Sequence, residues 1–294
     1  MTRQSGAICV VLMTALFWGV WWYPVSLLEG IGLQGPWIGV AMSGAIFPAA
    51  FIWVAIQRKG APPAALIGGA LIGLAVTLYA MAASYTDFIR AVLLFYLAPT
   101  WSTLIEILFL GRRWTRQTGL AILLSLTGIL LITRGGLGGA GIGALGDWMA
   151  LASGIAWSAG LAMIFATCRD RPSLPFLFTA IGGVAAALLI AAVDGSLAAG
   201  PPDGLAIAQS APGVVVFIIL FVGVLLAGTT WGGMLLPPAV VTYLLSVEVL
   251  AGVGSSAMFL DEPFGFFEVG GACAILGAVL IEVVWTPRTE KPAD

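Results

Sequence analysis

Apolar runs of about twenty residues, parted by short polar, glycine- or proline-bearing connections, recur along the whole chain. Ten windows carry them: 7–28, 37–56, 64–84, 89–110, 117–134, 148–168, 174–193, 213–231, 238–260 and 266–285. A helix rises about 1.5 Å per residue, so about 20 apolar residues cross the hydrocarbon core of a bilayer. The pattern therefore predicts an all-α polytopic membrane protein with ten transmembrane helices. Strands of a membrane barrel would be about ten residues long with alternating polarity, and these runs are continuously apolar. The longest connection lies near 194–212, and no sizeable soluble domain is left over. A cleaved leader is not expected, because the first run is too long and no small-residue cleavage site follows it.

Composition agrees. Of 294 residues, 60% are hydrophobic and 9% charged, and the mean hydropathy is +1.07; soluble proteins carry about 25% charged residues. A net charge of −2 gives no reason to expect a nucleic-acid partner. Histidine is absent, which removes the commonest metal ligand and the side chain that ordinarily titrates near neutrality. Cys9, Cys168 and Cys273 stand apart and read as small hydrophobes. No cofactor or metal is expected. The expected partners are the lipid bilayer and a small-molecule substrate, with the chain a monomer or a homodimer.

The basic residues set an orientation. Arg3, Arg58, Lys59, Arg112, Arg113, Arg116, Arg169, Arg171, Arg288 and Lys291 fall on the termini and even-numbered connections, against only Arg90 and Arg134 on the other side. The positive-inside rule then puts both termini in the cytoplasm.

A weak internal repeat runs through the same pattern. "FLGRRW" (109–114) closes the fourth run and "FLDEPF" (259–264) closes the ninth, 150 residues later. "TGILLI" (127–132) and "LGAVLI" (276–281) follow them, and Trp18 in "ALFWG" stands against Trp157 in "GIAWS". Five helices per half is an odd number, so the second half must enter the membrane from the opposite side. The three positive charges of "GRRWTR" and their absence from "DEPFGFFE" fit that inversion. The expected division is 1–138 and 139–294, with the glycine-rich 135–146 segment as linker. Inverted repeats build alternating-access transporters whose substrate site lies near mid-membrane between the halves.

On these features the chain resembles the drug/metabolite transporter superfamily, EamA type. The ten-helix, five-plus-five pattern, the Trp-Gly or Trp-Ser pair opening each half and the "FLG"/"FLDE" endings carry the resemblance over nearly the whole length. Within it, "FWGVWWYPVS" and "FYLAPTW" look most like the YddG-type amino-acid exporters. The resemblance implies an inner-membrane exporter of amino acids, aromatic and other, working through a central cavity. The chain departs from the family in one respect. Glu-Pro often stands in the fourth helix of each half, but here the first half keeps Pro99 without the acid and the second keeps Glu248 without the proline.

Several residues admit both a packing role and a functional one. Trp18 lies roughly 18 Å into its run, too deep for the interfacial aromatic belt, whereas Trp22 and Tyr23 fit that belt. Trp18 and its counterpart Trp157 either pack between helices or line a cavity where an indole N–H finds a partner and the ring stacks on a ligand. Tyr79, Tyr96 and Ser246 form a second group, Tyr96 and Ser246 being equivalent at the offset of 150. Pro99 must free a carbonyl near residue 95, which suggests a cavity wall on the Tyr96, Thr100 and Thr103 face. Trp101 is about 140° away from Tyr96 around the helix, yet counts among the binding candidates. Glu106, six residues before Arg112, suggests a structural or gating ion pair. Glu248 has no basic residue in its run; it is either a coupling residue or a protonated contact packed on the small residues of "GVGSS" (252–256).

Other function classes fare worse. Intramembrane metalloproteases need H-E-x-x-H and serine hydrolases a histidine base, so an enzyme is not expected. "GALGDW" (143–148) lacks the second glycine of an aspartyl-protease signature. A receptor would need an output domain. Export of drugs or other small metabolites is the alternative; nucleotide sugars fit less well, since the run centres hold no Lys or Arg to meet phosphates.

Overall fold

The computed structural model describes residues 3–58, 60–82, 85–86, 91, 94–132, 145–168, 170, 172–200, 202–203, 209, 211–251 and 266–285. Several features of the sequence lie outside them: Arg90, Arg134 and residues 135–144 of the linker, "FLDEPF", and "GVGSS". The side chain of Trp22 does as well.

The described residues form helices and no strand. In chain order they are α1 (Arg3–Trp18), α2 (Trp22–Gly30), α3 (Pro36–Gly44), α4 (Phe47–Gln57), α5 (Pro63–Ala82), α6 (Ala98–Phe109), α7 (Arg116–Ile132), α8 (Leu145–Thr167), α9 (Ser173–Val193), α10 (Pro212–Leu235), α11 (Pro238–Leu245) and α12 (Phe266–Leu280), the last running on into a π-helical turn, Ile281–Trp285. Proline starts α3, α5, α10 and α11, where its missing N–H would have had no partner anyway. Arg58, in the left-handed region at φ 46°, ends α4.

Five stretches are long and apolar enough to cross a membrane: Pro36–Gln57, Pro63–Ala82, Leu145–Thr167, Ser173–Val193 and Pro212–Leu235. A sixth arises if α1 and the following short helix count as one span bent by 43°. The helices around Arg116–Leu131, Pro238–Ala251 and Val269–Val284 are apolar but shorter. Ten uninterrupted spans are therefore not what the described residues show; several of the apolar runs are broken helices.

The breaks have local causes. In the first run Pro24 cannot donate to the Val20 carbonyl. That carbonyl accepts from Tyr23 N–H at 3.0 Å instead, while Trp21 N–H reaches only to Trp18 O, so a tight turn replaces the α-helical ladder. In the fourth run Pro99 frees the Phe95 carbonyl in the same way, and Tyr96–Leu97 form a turn before α6. The ninth run breaks at Ser246–Val247 with no proline present. There the Thr242 hydroxyl donates to Pro238 O and Ala239 O, and the Ser246 hydroxyl donates to Thr242 O at 3.0 Å. Such back-bonding competes with backbone donors and bends helices. The breaks at 96–97 and 246–247 are separated by the same 150 residues that separate the sequence repeats.

Packing of α5 against α8 and α9 forms the tightest part of the bundle. Gly68 and Gly160 face each other, a Cβ on either meeting the other's carbonyl at 2.8 or 2.6 Å. A Cβ at Gly69 would collide with the Pro175 carbonyl, and one at Gly73 with the Thr179 carbonyl. Small residues let helices approach where lipid offers no hydrophobic drive for association. Thr77 then bridges the layers, donating to Gly183 O at 3.0 Å. Apolar residues such as Leu108, Phe109 and Ile56 point outward and are more than two-thirds exposed, as expected of surface that meets lipid.

Candidate functional site

A narrow cavity of about 20 Å³, room for little more than a water molecule, lies where α1, α5, α6, α8 and the α11 segment meet. Trp18, Tyr79, Phe95, Tyr96, Pro99 and Trp157 wall it from the first four elements and their flanks, and Thr242, Leu245 and Glu248 from the ninth run. Its interior is built mainly of aromatic rings. Trp18 meets Trp157 edge-on at 5.9 Å between centroids and stacks on Trp21 at 4.6 Å. Trp157 continues to Phe95 at 6.3 Å, and Phe95 contacts both Tyr79 at 4.4 Å and Tyr96 at 5.7 Å. Edge-to-face and offset contacts of this kind are the favoured aromatic geometries.

The helix breaks position these groups. Loss of the ladder at Pro99 turns Phe95 and Tyr96 toward the interior. Gly154 lets α8 come close there: a Cβ on it would lie 3.0 Å from the Phe95 carbonyl. The Ser158 hydroxyl donates to Ala98 O at 3.0 Å, which fixes α8, and hence Trp157, against the start of α6. Across the cavity the break at Ser246–Val247 carries Glu248.

The polar groups of the cavity are few. Trp18 Nε1 is buried with no hydrogen-bond partner among the described residues, and the Tyr96 hydroxyl lies against Glu248. The Thr242 hydroxyl is spent on its own helix. Glu248 is buried, and Tyr79 and Tyr96 are both near enough to interact with its carboxylate. Among the described residues no lysine or arginine lines the cavity.

A second polar cluster closes the bundle at one end. Arg112, between α6 and α7, is buried and contacts Glu106 at 2.9 Å and Glu282 at 2.9 and 3.0 Å. It also donates to the Thr118 hydroxyl at 3.1 Å. Glu106 in turn accepts from Ala239 N–H at 2.6 Å, capping the exposed donors at the start of α11. Burial works against the Arg112 charge, and the Glu282 and Glu106 carboxylates outweigh it, raising its pKa above the ordinary arginine value. Arg112, in the loop after α6, thus joins α6, α7 and the π-helical turn directly, and Glu106 links this cluster to α11. Pro99 and Glu106 are seven residues apart on α6, so this cluster sits roughly 10 Å beyond the cavity.

Among the residues singled out from sequence, Trp18, Tyr79, Tyr96, Pro99, Trp157 and Glu248 come together in the cavity wall. Trp101 does not; its ring packs on the Gly154 side of α8, outside the lining. Ser246 is turned away, its hydroxyl bonded within its own helix. Thr100 and Thr103 are also outside the lining. Glu106 belongs to the Arg112 cluster. Phe95, Val76, Thr242 and Leu245 line the cavity although sequence reasoning passed over them. Only the position of Phe95 at the proline-freed carbonyl offered a signal.

Residues 5–134 match the EamA-like transporter family model. No curated protein matches the chain. A solved protein crystal structure is similar over 96% of this chain and 98% of its own length, with a TM-score of 0.71 and 18% identity; at that identity the likeness shows the fold alone. That match covers less than half of the chain, and the long apolar helices are those of a multi-pass membrane protein.

Proposed function

We propose that the protein exports amino acids and related small amino compounds across the bacterial inner membrane by alternating access. Ten helices, in two inverted five-helix repeats over 1–138 and 139–294 with both termini cytoplasmic, form the framework of this reading. The matched breaks at 96–97 and 246–247 support it, because half-broken helices at the repeat interface are where such transporters bind substrate. The observation that carries the reading is the aromatic cavity walled by Trp18, Tyr79, Tyr96 and Trp157 from one side and by the Glu248 region from the other. It offers ring faces to an apolar side chain and a buried carboxyl group to an amine. Glu248 is the candidate coupling residue, and Pro99 the hinge beside it.

The Arg112–Glu106–Glu282 cluster is then the closed gate on the cytoplasmic side, where the positive-inside rule puts Arg112, Arg113 and Arg116. Opening inward must part Glu282 from Arg112.

Counterflow tests the reading. Proteoliposomes preloaded with an unlabelled amino compound should accumulate the labelled compound transiently. No accumulation for any member of a panel of amino acids and amines would end the proposal.

A further inference from the structure

Between the cavity and the Arg112 cluster, α6 and α11 run antiparallel and pack on each other. Pro99 on α6 and Thr242 and Leu245 on α11 wall the cavity, and at the other end Glu106 accepts from Ala239 N–H. Ser102 and Thr103 lie between those two levels of α6. Both are within about 60° of Pro99 and of Glu106 around the helix, so they share the face that looks toward α11. Both are fully buried, and neither hydroxyl has a hydrogen-bond partner among the described residues. Tyr243 stands across from them on α11. Helical side chains lean toward the start of their helix, which carries this ring back toward Ala239. It lies close enough to Glu282, Arg112 and Glu106 to feel their charges. Its hydroxyl is also buried and unpartnered among the described residues. The α8 side of α6 is different: there the Ser158 hydroxyl donates to Ala98 O, and Gly154 lets the backbones close up.

A hydroxyl sealed from water without a partner costs free energy that alanine, valine or phenylalanine in its place would not. Three of them along one seam call for a second state in which they are satisfied, and water supplies it when α6 and α11 part. We propose that the inward leg of the transport route runs between α6 and α11, with Ser102, Thr103 and Tyr243 as its polar wall, dry in this structure and wetted when Glu282 leaves Arg112. The inference rests on the transporter reading and adds the route that joins the cytoplasm to the aromatic cavity. Neutral hydroxyls hydrogen-bond either an amino or a carboxyl end, so this wall passes polar solutes without sorting them by charge.

Ser102→Cys and Thr103→Cys, close in size to the native residues, test the route in the full chain. Leu108→Cys on the outward surface of α6 and Arg113→Cys on the exposed loop serve as controls. A charged, membrane-impermeant methanethiosulfonate reacts with the thiolate, which forms in water. Mass spectrometry reads each site separately, so Cys9, Cys168 and Cys273 stay in place. In inside-out vesicles Ser102→Cys and Thr103→Cys should react at least tenfold faster than Leu108→Cys, and faster again with Glu282→Gln added. The attached label should cut counterflow at least fivefold. Tyr243→Phe should slow counterflow several-fold while leaving the unfolding midpoint unchanged or higher, because no bond is lost. Reaction no faster than at Leu108→Cys where Arg113→Cys is labelled, or reaction from the outer face alone, would overturn the inference; with counterflow intact, either result leaves the transporter reading standing. Should Glu282→Gln fail to fold, the comparison with Leu108→Cys in the unaltered gate still decides. Absence of counterflow in a folded wild type would overturn both.

Discussion

Arg112 and Glu282, 170 residues apart in the chain, meet through two close contacts inside the protein, at 2.9 and 3.0 Å. The pair ties the loop after α6 to the π-helical turn that ends α12. Short π-helical turns within α-helices concentrate at functional sites. Here the turn places Glu282 opposite the guanidinium. Glu106, which accepts from Arg112, also accepts from Ala239 N–H of α11, so the cluster acts as a joint.

Removing that joint should be costly. Arg112→Ala leaves Glu106 and Glu282 buried without their cation, a change worth about 3–5 kcal/mol. A marked fall in the thermal unfolding midpoint of the purified protein is expected. Glu282→Gln, which keeps Glu106 paired, should fall less. Equal midpoints for wild type and Arg112→Ala would show that the cluster does not hold the fold.

The glycine face of α5 gives a second expectation. Gly69→Leu forces a side chain against the Pro175 carbonyl and should separate α5 from α9. Overpacking of this kind costs about 1–3 kcal/mol or more. Lowered yield and thermal stability are expected, and an unchanged midpoint would mean that the two helices are not as close as described.

Trp18 and Trp157 are expected to serve transport more than stability. Both line the cavity, so Trp18→Ala and Trp157→Ala should reduce transport several-fold. Ring loss should lower the unfolding midpoint less than Arg112→Ala does. Loss of folding together with transport would assign both residues to packing.

Orientation can be read independently. Reporters fused at Asp294 and after Gln57 should report cytoplasm, and one inserted near Asp203 periplasm. A periplasmic carboxyl terminus would require an odd number of crossings and remove the inverted repeat.

Much of this arrangement was legible from the chain itself. Boundaries of the apolar runs anticipated the helices well: the run at 174–193 became Ser173–Val193, and that at 117–134 became Arg116–Ile132. Prolines marked the break near Phe95, because a missing N–H is a local fact. Ser246 was harder. Its break comes from hydroxyls turning back on their own carbonyls, and a serine or threonine does so only in some rotamers. The same back-bond takes Ser246 out of the cavity, although the repeat pairs it with Tyr96. Trp101 was misleading because aromatic character alone does not set which way a helix face turns. Pairing of Glu106 with Arg112 followed from six residues of spacing, but the arrival of Glu282 depends on how distant helices dock, and no local signal carries that.

The central claim is that a small amino compound passes through the aromatic cavity. Counterflow in proteoliposomes tests it most directly, with labelled phenethylamine and labelled phenylalanine run separately on wild type and on Trp157→Ala. A transient accumulation of at least one compound by wild type, reduced several-fold in a Trp157→Ala protein that remains folded, is the predicted result. Wild-type vesicles that behave like protein-free ones, or undiminished accumulation by Trp157→Ala, would contradict it.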